Sequence, residues 1–374
     1  MGPVGLNMPS PLPSARRPWW LRVHWLQLAI VLALAGLGLP FLRSAASEGE
    51  YRRQLLWMTI GLLGFSVMSC VDYRFWLRRA YAVYAVSVGL LLFVLRFSAP
   101  IKGGGRWIPL WGFNVQPSEI FKLALVLTLA RYLSWRGPIR SLAGLAIPFA
   151  LMAAPAVLIQ RQPDLGTALT LPPTLLAMLF VAGASSWRIA LAGTAGLAAA
   201  IPLWWEYGMV DYQKRRVLAW LDPEGHANSA AFHLIMGLTA ISQGGLYGRG
   251  LGNGTLNELD LLPEKHNDFI FGVVAEEGGL LAAGAMTALF LLLVLGSLSI
   301  AAAAVDEAGR LLAVGVATLV GGQALMNIGV ATGLLPTTGV TLPLISYGGS
   351  SLLMTLAMLG LVMNVAAREN NPGP

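Results

Sequence analysis

Apolar residues along this chain form long continuous runs separated by polar connections. This pattern differs from the alternation of a half-buried strand and from the one-sided spacing of a surface helix. A helix needs about 20 apolar residues to cross a bilayer, whereas a transmembrane β-barrel shows alternating segments of about ten residues. The runs therefore predict an all-α polytopic membrane protein. Its ten predicted helices lie near residues 21–43, 53–71, 77–97, 117–135, 141–160, 165–183, 187–206, 268–300, 309–333 and 344–367.

The spacing of these runs divides the chain into five segments. They are a tail at 1–20, helices one to seven at 21–206, a long polar loop at 207–267, helices eight to ten at 268–367, and a tail at 368–374. The loop contains apolar anchors, and its stretch 231–241 is apolar enough to lie along the membrane interface. Its glycine-rich part, 244–254, is expected to be a flexible turn. The proline-broken, uncharged stretch 333–347 is expected to line a cavity.

Composition agrees with a membrane protein, and charge indicates its orientation. The chain has 374 residues, of which 56% are hydrophobic and 11% charged, against about 25% charged in soluble domains. The net charge of +7 comes from basic residues scattered at the ends of apolar runs, which is typical of topology signals rather than of nucleic-acid binding. With a cytoplasmic N-terminus, the inner connections hold roughly twice as many Lys and Arg as the short outer ones. Both termini are therefore predicted to be cytoplasmic and the 207–267 loop extracytoplasmic.

Two sets of ionisable residues lie inside predicted spans, where such groups are costly and mark candidate functional sites. Glu119 and Lys122 occupy positions i and i+3 of one helical face. They form either a self-neutralising ion pair or a polar site that faces the bundle interior. Glu276 and Glu277 point about 100° apart on a helix, so both cannot face lipid. Lys122 and the loop arginines are their candidate partners, and a purely structural buried pair is the alternative.

Asp268 begins the eighth predicted span among other polar residues. The simplest interpretation is a helix N-cap, since Asp is a preferred capping residue. Lys265, His266 and the basic loop segment Lys214–Arg216, however, concentrate charge at a lipid boundary, which is typical of a site for a charged lipid head group. The helix N-terminus would favour the ionised carboxylate, whereas desolvation would raise its pKa. The sequence has no P-loop, zinc-protease or hydrolase-elbow motif.

Several ordered blocks of the sequence resemble the SEDS family (shape, elongation, division and sporulation). The blocks are Gly105–Ile108, Gln116–Lys122, Gln162–Leu169, Leu262–Phe271, Ala275–Glu277, Asn327–Gly329 and Pro343–Ser350. The resemblance is closest to the elongation branch, RodA, and the division branch, FtsW, is the alternative. The chain departs from the family pattern at Met236–Gly237, Asn267 and Gly278.

The resemblance implies an inverting peptidoglycan glycosyltransferase in the cytoplasmic membrane of a bacterium. Such an enzyme polymerises lipid II into glycan strands at the outer face, for cell elongation and rod shape, beside a class B penicillin-binding protein that acts as the transpeptidase. The family's essential aspartate falls on Asp268, and its important Glu and Lys fall on Glu119 and Lys122. No organic cofactor is implied, and a divalent cation, Mg²⁺ or Mn²⁺, is a candidate.

Sugar transfer from a lipid diphosphate requires a base for the acceptor hydroxyl and positive charge for the leaving diphosphate. Asp268 is the candidate base. The candidate substrate-binding residues are Arg106, Trp107, Glu119, Lys122, Asp164, Arg215, Arg216, Lys265 and His266. The candidate polar core comprises Gln116, Ser118, Glu276, Glu277, Ser346 and Tyr347, with Gln116 or Ser118 expected to cap the fourth span. The alternatives are a lipid II flippase, a division- or sporulation-type polymerase, and a scaffold that recruits a transpeptidase.

Overall fold

The computed structural model describes residues 24–98, 105–110, 113–139, 141–226, 231–255 and 264–369. Each of the ten predicted spans is helical there, and the all-α prediction is confirmed. The transmembrane part comprises α1 (Trp25–Ala45), α2 (Glu48–Cys70), α3 (Tyr73–Arg78), α4 (Ala80–Phe97), α5 (Pro117–Arg136), α6 (Leu142–Arg161), α7 (Leu165–Val181) and α8 (Ser186–Leu203). The 207–267 loop contains α9 (Asp211–Leu221) and α10 (Phe232–Gly244), and α11 (Ile270–Ala303), α12 (Glu307–Ala331) and α13 (Gly349–Glu369) complete the bundle. The predicted tail 1–20 lies outside the described residues.

Six of these helices, α1, α4, α6, α11, α12 and α13, are long and apolar enough to cross a membrane. The centre of the bundle is formed by α5 and α12, which are buried on most sides. Around them, α12 packs against α11, α7 and α5, and α13 packs along α2. Small residues permit this packing, since a Cβ atom at Gly61 of α2 would lie 2.5 Å from Leu356 Cδ1 of α13. Such close approach through glycine is typical of membrane helix pairs.

The connections alternate between two ends of the bundle, and one end collects those that carry polar residues. We call it the cavity end; it holds the α1–α2, α4–α5, α6–α7, α8–α11 and α12–α13 connections. In the α4–α5 connection, strands β1 (Ile108–Leu110) and β2 (Phe113–Val115) pair antiparallel with Ile108 opposite Val115. The apolar runs did not predict this hairpin, because three-residue strands carry too little pattern.

A break in α11 holds the glycine-rich segment 244–254 in place. Gly279 adopts φ 68° and ψ −171°, which interrupts the helical hydrogen bonds. The freed groups pair with the loop, since Leu280 N–H donates to Gly245 O over 2.9 Å and Arg249 N–H donates to Glu276 O over 3.0 Å. The prediction of a flexible turn is therefore wrong. The sequence could not show it, because the partner backbone lies some thirty residues further along the chain.

Candidate functional site

A cavity of about 710 Å³ opens at the cavity end of the bundle. It is lined by the α4–α5, α6–α7, α8–α11 and α12–α13 connections, and by residues of α2, α5, α7, α12 and α13 near that end. Its charged lining residues are Glu50, Arg53, Arg106, Glu119, Lys122, Asp164, Arg216, Glu264, His266 and Asp268. The stretch 333–347 contributes Thr337, Thr338 and Thr341, as its composition predicted.

Asp268 lies two residues before α11 and is partly exposed to the cavity. The N-cap residue of α11 is Phe269 rather than Asp268, so the simple capping interpretation is wrong. The Asp268 carboxylate faces Gly339, where a Cβ atom would lie 3.6 Å from its Oδ2 and 3.9 Å from Arg216 Nη1. Gly339 has a φ of 76°, which favours glycine. A side chain at this position would stand between the carboxylate and the guanidinium.

The pKa of the Asp268 carboxyl depends on opposing influences from its surroundings. Burial is the largest influence and raises the pKa of the Asp268 carboxyl from 3.8 to about 6. The guanidinium groups of Arg216 and Arg106 lower this pKa, and the carboxylates of Glu264 and Asp164 raise it. Burial therefore outweighs the two nearby guanidinium groups, and the net effect is a raised pKa. A carboxylate with this pKa is ionised at neutral pH and is still a usable proton acceptor.

Arg216 and Arg215 point in different directions, as adjacent residues of a helix must. Arg216 lines the cavity, donates from Nη1 to Thr337 O over 3.3 Å and lies over the Tyr212 ring at 5.5 Å. Arg215 is exposed and does not line the cavity. A substrate contact of Arg215 stays a prediction, and the arginine of this pair that reaches the cavity is Arg216.

Glu119 and Lys122 form a buried ion pair at the inner end of the cavity. Lys122 Nζ lies 2.8 Å from Glu119 Oε2, with side-chain exposures of only 1% and 5%. Lys122 also donates to Gln323 Oε1 over 3.0 Å, and Gln323 Nε2 donates to Thr341 O over 3.3 Å. Both sequence interpretations of the pair therefore hold, since it is self-neutralising and it faces a polar cavity.

Asp164 connects the starts of α5 and α7. Its Oδ2 accepts hydrogen bonds from Gln116 Nε2 over 2.7 Å and Ser118 Oγ over 2.9 Å. Its Oδ1 accepts from Thr167 N over 3.2 Å and so caps α7. Gln116 and Ser118 thus hold Asp164 instead of capping their own helix, which corrects that expectation. Although Asp164 lines the cavity, its carboxylate is already engaged by protein donors.

The block that precedes α13 supports the residues around Asp268. Tyr347 N–H donates to His266 O over 2.8 Å, and Ser346 Oγ donates to Asn267 O over 2.7 Å. The His266 and Tyr347 rings meet edge to face at 5.8 Å, and both residues line the cavity. Lys265 does not line the cavity, and its contact with substrate stays a prediction.

Arg106 and Trp107 enter the cavity from the segment just before β1. Ser98 Oγ donates to Trp107 O over 2.8 Å and fixes this segment to the end of α4. The Nε atom of Arg106 is buried and has no hydrogen-bond partner within the described part of the chain. This donor is therefore available to an anion in the cavity.

Glu276 and Glu277 are buried in α11 but lie outside the cavity. Ser44 Oγ donates to Glu277 Oε1, which ties α11 to the end of α1. Their predicted partner Lys122 is paired with Glu119 instead. The expectation that the two carboxylates do not both face lipid agrees with their burial.

The sequence did not indicate several polar residues of the cavity. Glu50, Asn114, Gln213 and Gln323 line it, and the first three lie in or next to connections where polar residues are expected anyway. Gln323 lies deep inside α12, where an amide within an apolar run was a signal that could have been used.

Comparison with known proteins shows the family to which the chain belongs. The family of cell cycle proteins that comprises FtsW, RodA and SpoVE matches residues 23–371. The chain belongs to this family. Among its relatives, the peptidoglycan glycosyltransferase MrdB of Escherichia coli K12 is 38% identical over 354 residues, covering 94% of this chain and 95% of MrdB. The probable peptidoglycan glycosyltransferase FtsW of Geobacter metallireducens is 39% identical over 358 residues, covering 91% and 94%.

Solved structures from the FtsW, RodA and SpoVE family have the same fold. A chain from a peptidoglycan synthase complex, whose polymerisation and crosslinking are structurally coordinated, superimposes with a TM-score of 0.82 at 34% identity, covering 94% of this chain and 100% of that one. RodA, the rod shape determining protein of Thermus thermophilus, superimposes with a TM-score of 0.71 at 32% identity, covering 94% and 99%. The predicted family and fold are therefore confirmed.

Proposed function

We propose that the chain polymerises lipid II in this cavity, with Asp268 as the base that accepts the proton of the acceptor sugar hydroxyl. The chain is a peptidoglycan glycosyltransferase of the elongation type, as the names of its relatives support. Beyond those names, we propose that the substrate is lipid II, that the cavity residues act on it, and that they do so at the outer membrane face. One observation carries it: a carboxylate of raised pKa and several cations line the same cavity.

The reaction assigns separate tasks to these charges. The acceptor hydroxyl oxygen bonds to the anomeric carbon of the donor while its proton passes to the Asp268 carboxylate. The bond from that carbon to the diphosphate breaks, and its electron pair leaves with the lipid diphosphate. Attack from the opposite face inverts the anomeric configuration. Arg216 and Arg106 neutralise the departing diphosphate, because fixed cations stabilise charge that develops in the transition state.

Lys122 extends this positive lining inward, and its pairing with Glu119 limits its net charge. In the proposal this buried pair contacts the neutral, hydroxyl-rich part of the sugar rather than the diphosphate. The described residues contain no group of three or more His, Cys, Asp or Glu side chains placed to hold a metal ion. The divalent cation, Mg²⁺ or Mn²⁺, stays an expectation of the family resemblance, and no step of the proposed reaction passes through one.

The orientation of the bundle supports a site at the outer face of the cytoplasmic membrane. The end opposite the cavity carries Arg74, Arg78, Arg79, Arg136, Arg188 and Arg310 in or beside its connections. An excess of arginine marks the cytoplasmic side, so the cavity end is assigned to the outside. There a class B penicillin-binding protein could crosslink the strands; the similar synthase complex, which coordinates polymerisation with crosslinking, supports such a partner.

A polymerisation assay with labelled lipid II in detergent tests the proposal, because detergent abolishes the two sides of a membrane. We expect glycan product from the wild type, none from Asp268→Asn, and wild-type product from Asp211→Asn. Asp211 is an exposed aspartate at the same end that does not line the cavity. An active Asp268→Asn protein would remove the base from the proposal. Absence of wild-type product together with lipid II movement in liposomes would instead support a flippase.

A further inference from the structure

Helix α12 presents two buried carboxamides one turn apart toward the cavity end. Gln323 and Asn327 are 3% and 1% exposed, and residues four apart share a helix face. Gln323 reaches Lys122 and Thr341, as described above. Asn327 contacts the backbone at the other charged residue, Asp268, although Asn327 itself does not line the cavity.

Asn327 uses both hydrogens of its amide group on two separate backbone segments. Its Nδ2 donates to Asp268 O over 2.9 Å and to Val340 O over 2.7 Å. One rigid planar group therefore holds the backbone of Asp268, just before α11, against the turn between α12 and α13. No other side chain of the described residues bonds the Asp268 backbone.

Of the two backbone segments held by Asn327, one carries the base Asp268 and the other contacts Asp268 and Arg216. Val340 follows Gly339, whose backbone lies opposite the Asp268 carboxylate, and Arg216 is bound to Thr337 O in the same turn. A shift of either segment would change the distance between Asp268 and Arg216. It would also change how far the carboxylate is shielded from water.

We propose that Asn327 is a positioning residue for Asp268, which fixes the carboxylate opposite Gly339 without touching substrate. The inference rests on the proposed function, because the role is exercised through the base. The alternative is that Asn327 merely stabilises the bundle, as any buried bridging amide does.

Asn364 offers a matched control for that alternative. It is 2% exposed in α13, accepts a hydrogen bond from Tyr73 N over 2.9 Å and donates to Ser69 O over 2.6 Å. It thus bridges two backbone groups as Asn327 does, but at the end opposite the cavity. Replacing either Asn by Leu keeps the branching at Cγ, adds the same extra volume at both positions and removes a backbone bridge.

The experiment compares Asn327→Leu, Asn327→Ser and Asn364→Leu with the wild type in the detergent assay, after thermal unfolding has shown which proteins fold. A misplacement of about 1 Å costs about 100-fold in rate, so we expect kcat of Asn327→Leu to fall by about that factor with little change in KM. Asn327→Ser retains one donor and should lie between. As the Asp268 carboxyl relaxes toward water, the acid limb of the pH–rate profile should move to lower pH.

Asn364→Leu should lower the melting temperature but leave kcat and the acid limb unchanged. The inference is overturned if the Asn327 variants keep wild-type kcat, or if their kcat and acid limb change only as those of Asn364→Leu do. If Asn327→Leu does not fold, Asn327→Ser decides by the same criteria. A silent wild type or an active Asp268→Asn protein would instead contradict the proposed function, so the two failures are distinguishable.

Discussion

Asp268 shows how the surroundings of a single residue decide a property, its pKa, that the local sequence does not specify. Its carboxyl lies in protein surroundings that raise its pKa, while Arg216 and Arg106 act in the opposite direction. The raised value favours the neutral acid, so ionisation of Asp268 reduces the stability of the fold as the pH rises from 3.8 toward 6. We therefore expect the Asp268→Asn protein to melt no lower than the wild type at neutral pH.

The first prediction concerns the pH dependence of polymerisation. A base must be ionised, so kcat/KM should fall as the pH drops through about 6. Glu264 raises the pKa of Asp268, so Glu264→Gln should move this acid limb to lower pH. The glutamine oxygen can still accept from Asn267 Nδ2, now 2.7 Å from Glu264 Oε2. A pH–rate profile measures the shift, and Glu48→Gln, outside the cavity, should leave it in place.

The second prediction concerns the ion pair of Glu119 and Lys122. Lys122→Met leaves a buried carboxylate without its cation, which costs about 3–5 kcal/mol of stability. The double variant Glu119→Gln/Lys122→Met removes both charges, so thermal unfolding should show recovered stability. Polymerisation should stay low in both proteins if the pair contacts the sugar. Full activity of the double variant would assign the pair a purely structural role.

At the level of elements, α11 combines a membrane span with a support for the outer loop. Its 34 residues measure about 50 Å at 1.5 Å per residue, whereas a bilayer core is about 30 Å thick. The break at Gly279 leaves 24 residues, Leu280–Ala303, which suffice to cross. The first turns of α11 therefore lie in the loop region, where the glycine-rich segment bonds to them.

The third prediction tests this attachment with two glycines of similar backbone conformation. Gly248 has φ 79° and a Cβ atom there would lie 2.2 Å from Glu277 O, whereas Gly252 has φ 77° and open space around it. Alanine at either position carries the same backbone strain, so the difference between the two variants reports the clash. We expect Gly248→Ala to be destabilised by about 1–3 kcal/mol more than Gly252→Ala. Hydrogen exchange should rise over 244–254 in that variant alone.

In the whole molecule, successive connections lie at alternate ends of the bundle. The cavity residues lie at one end, and the arginines that serve as topology signals lie in the connections at the other. Four of the connections at one end line the cavity, so distant parts of the chain contribute to one site. In the proposed orientation, the arginines of the other connections lie on the cytoplasmic side. The assembly is thus one bundle with a single orientation, which is the property that a reaction at one membrane face requires.

The fourth prediction tests that orientation through Cys70, the only cysteine of the chain. Cys70 is exposed at the end of α2 remote from the cavity, so a membrane-impermeant maleimide should label it only after cells are lysed. In Cys70→Ser/Gly250→Cys, the new thiol on the exposed outer segment should react in intact cells. Labelling of Cys70 in intact cells would invert the assigned topology and place Asp268 in the cytoplasm.

The sequence by itself determined the ten helices, the orientation signals and the family. Helical spans need only a local run of apolar residues, and the family blocks are contiguous stretches that include Asp268, Glu119 and Lys122. The turn at 333–347 was predicted to line a cavity for a similar reason, since uncharged, proline-broken backbone at membrane depth must be satisfied by protein or water.

Only the tertiary structure decided which polar residues meet. It separated Arg216 from Arg215, paired Lys122 with Glu119 rather than Glu276, and engaged Asp164 with Gln116 and Ser118. It also fastened the glycine-rich segment to α11 and placed Asn327 beside Asp268. Each of these outcomes depends on contacts between residues far apart in the chain, and the direction of a side chain within its cavity leaves no trace in local hydropathy or spacing.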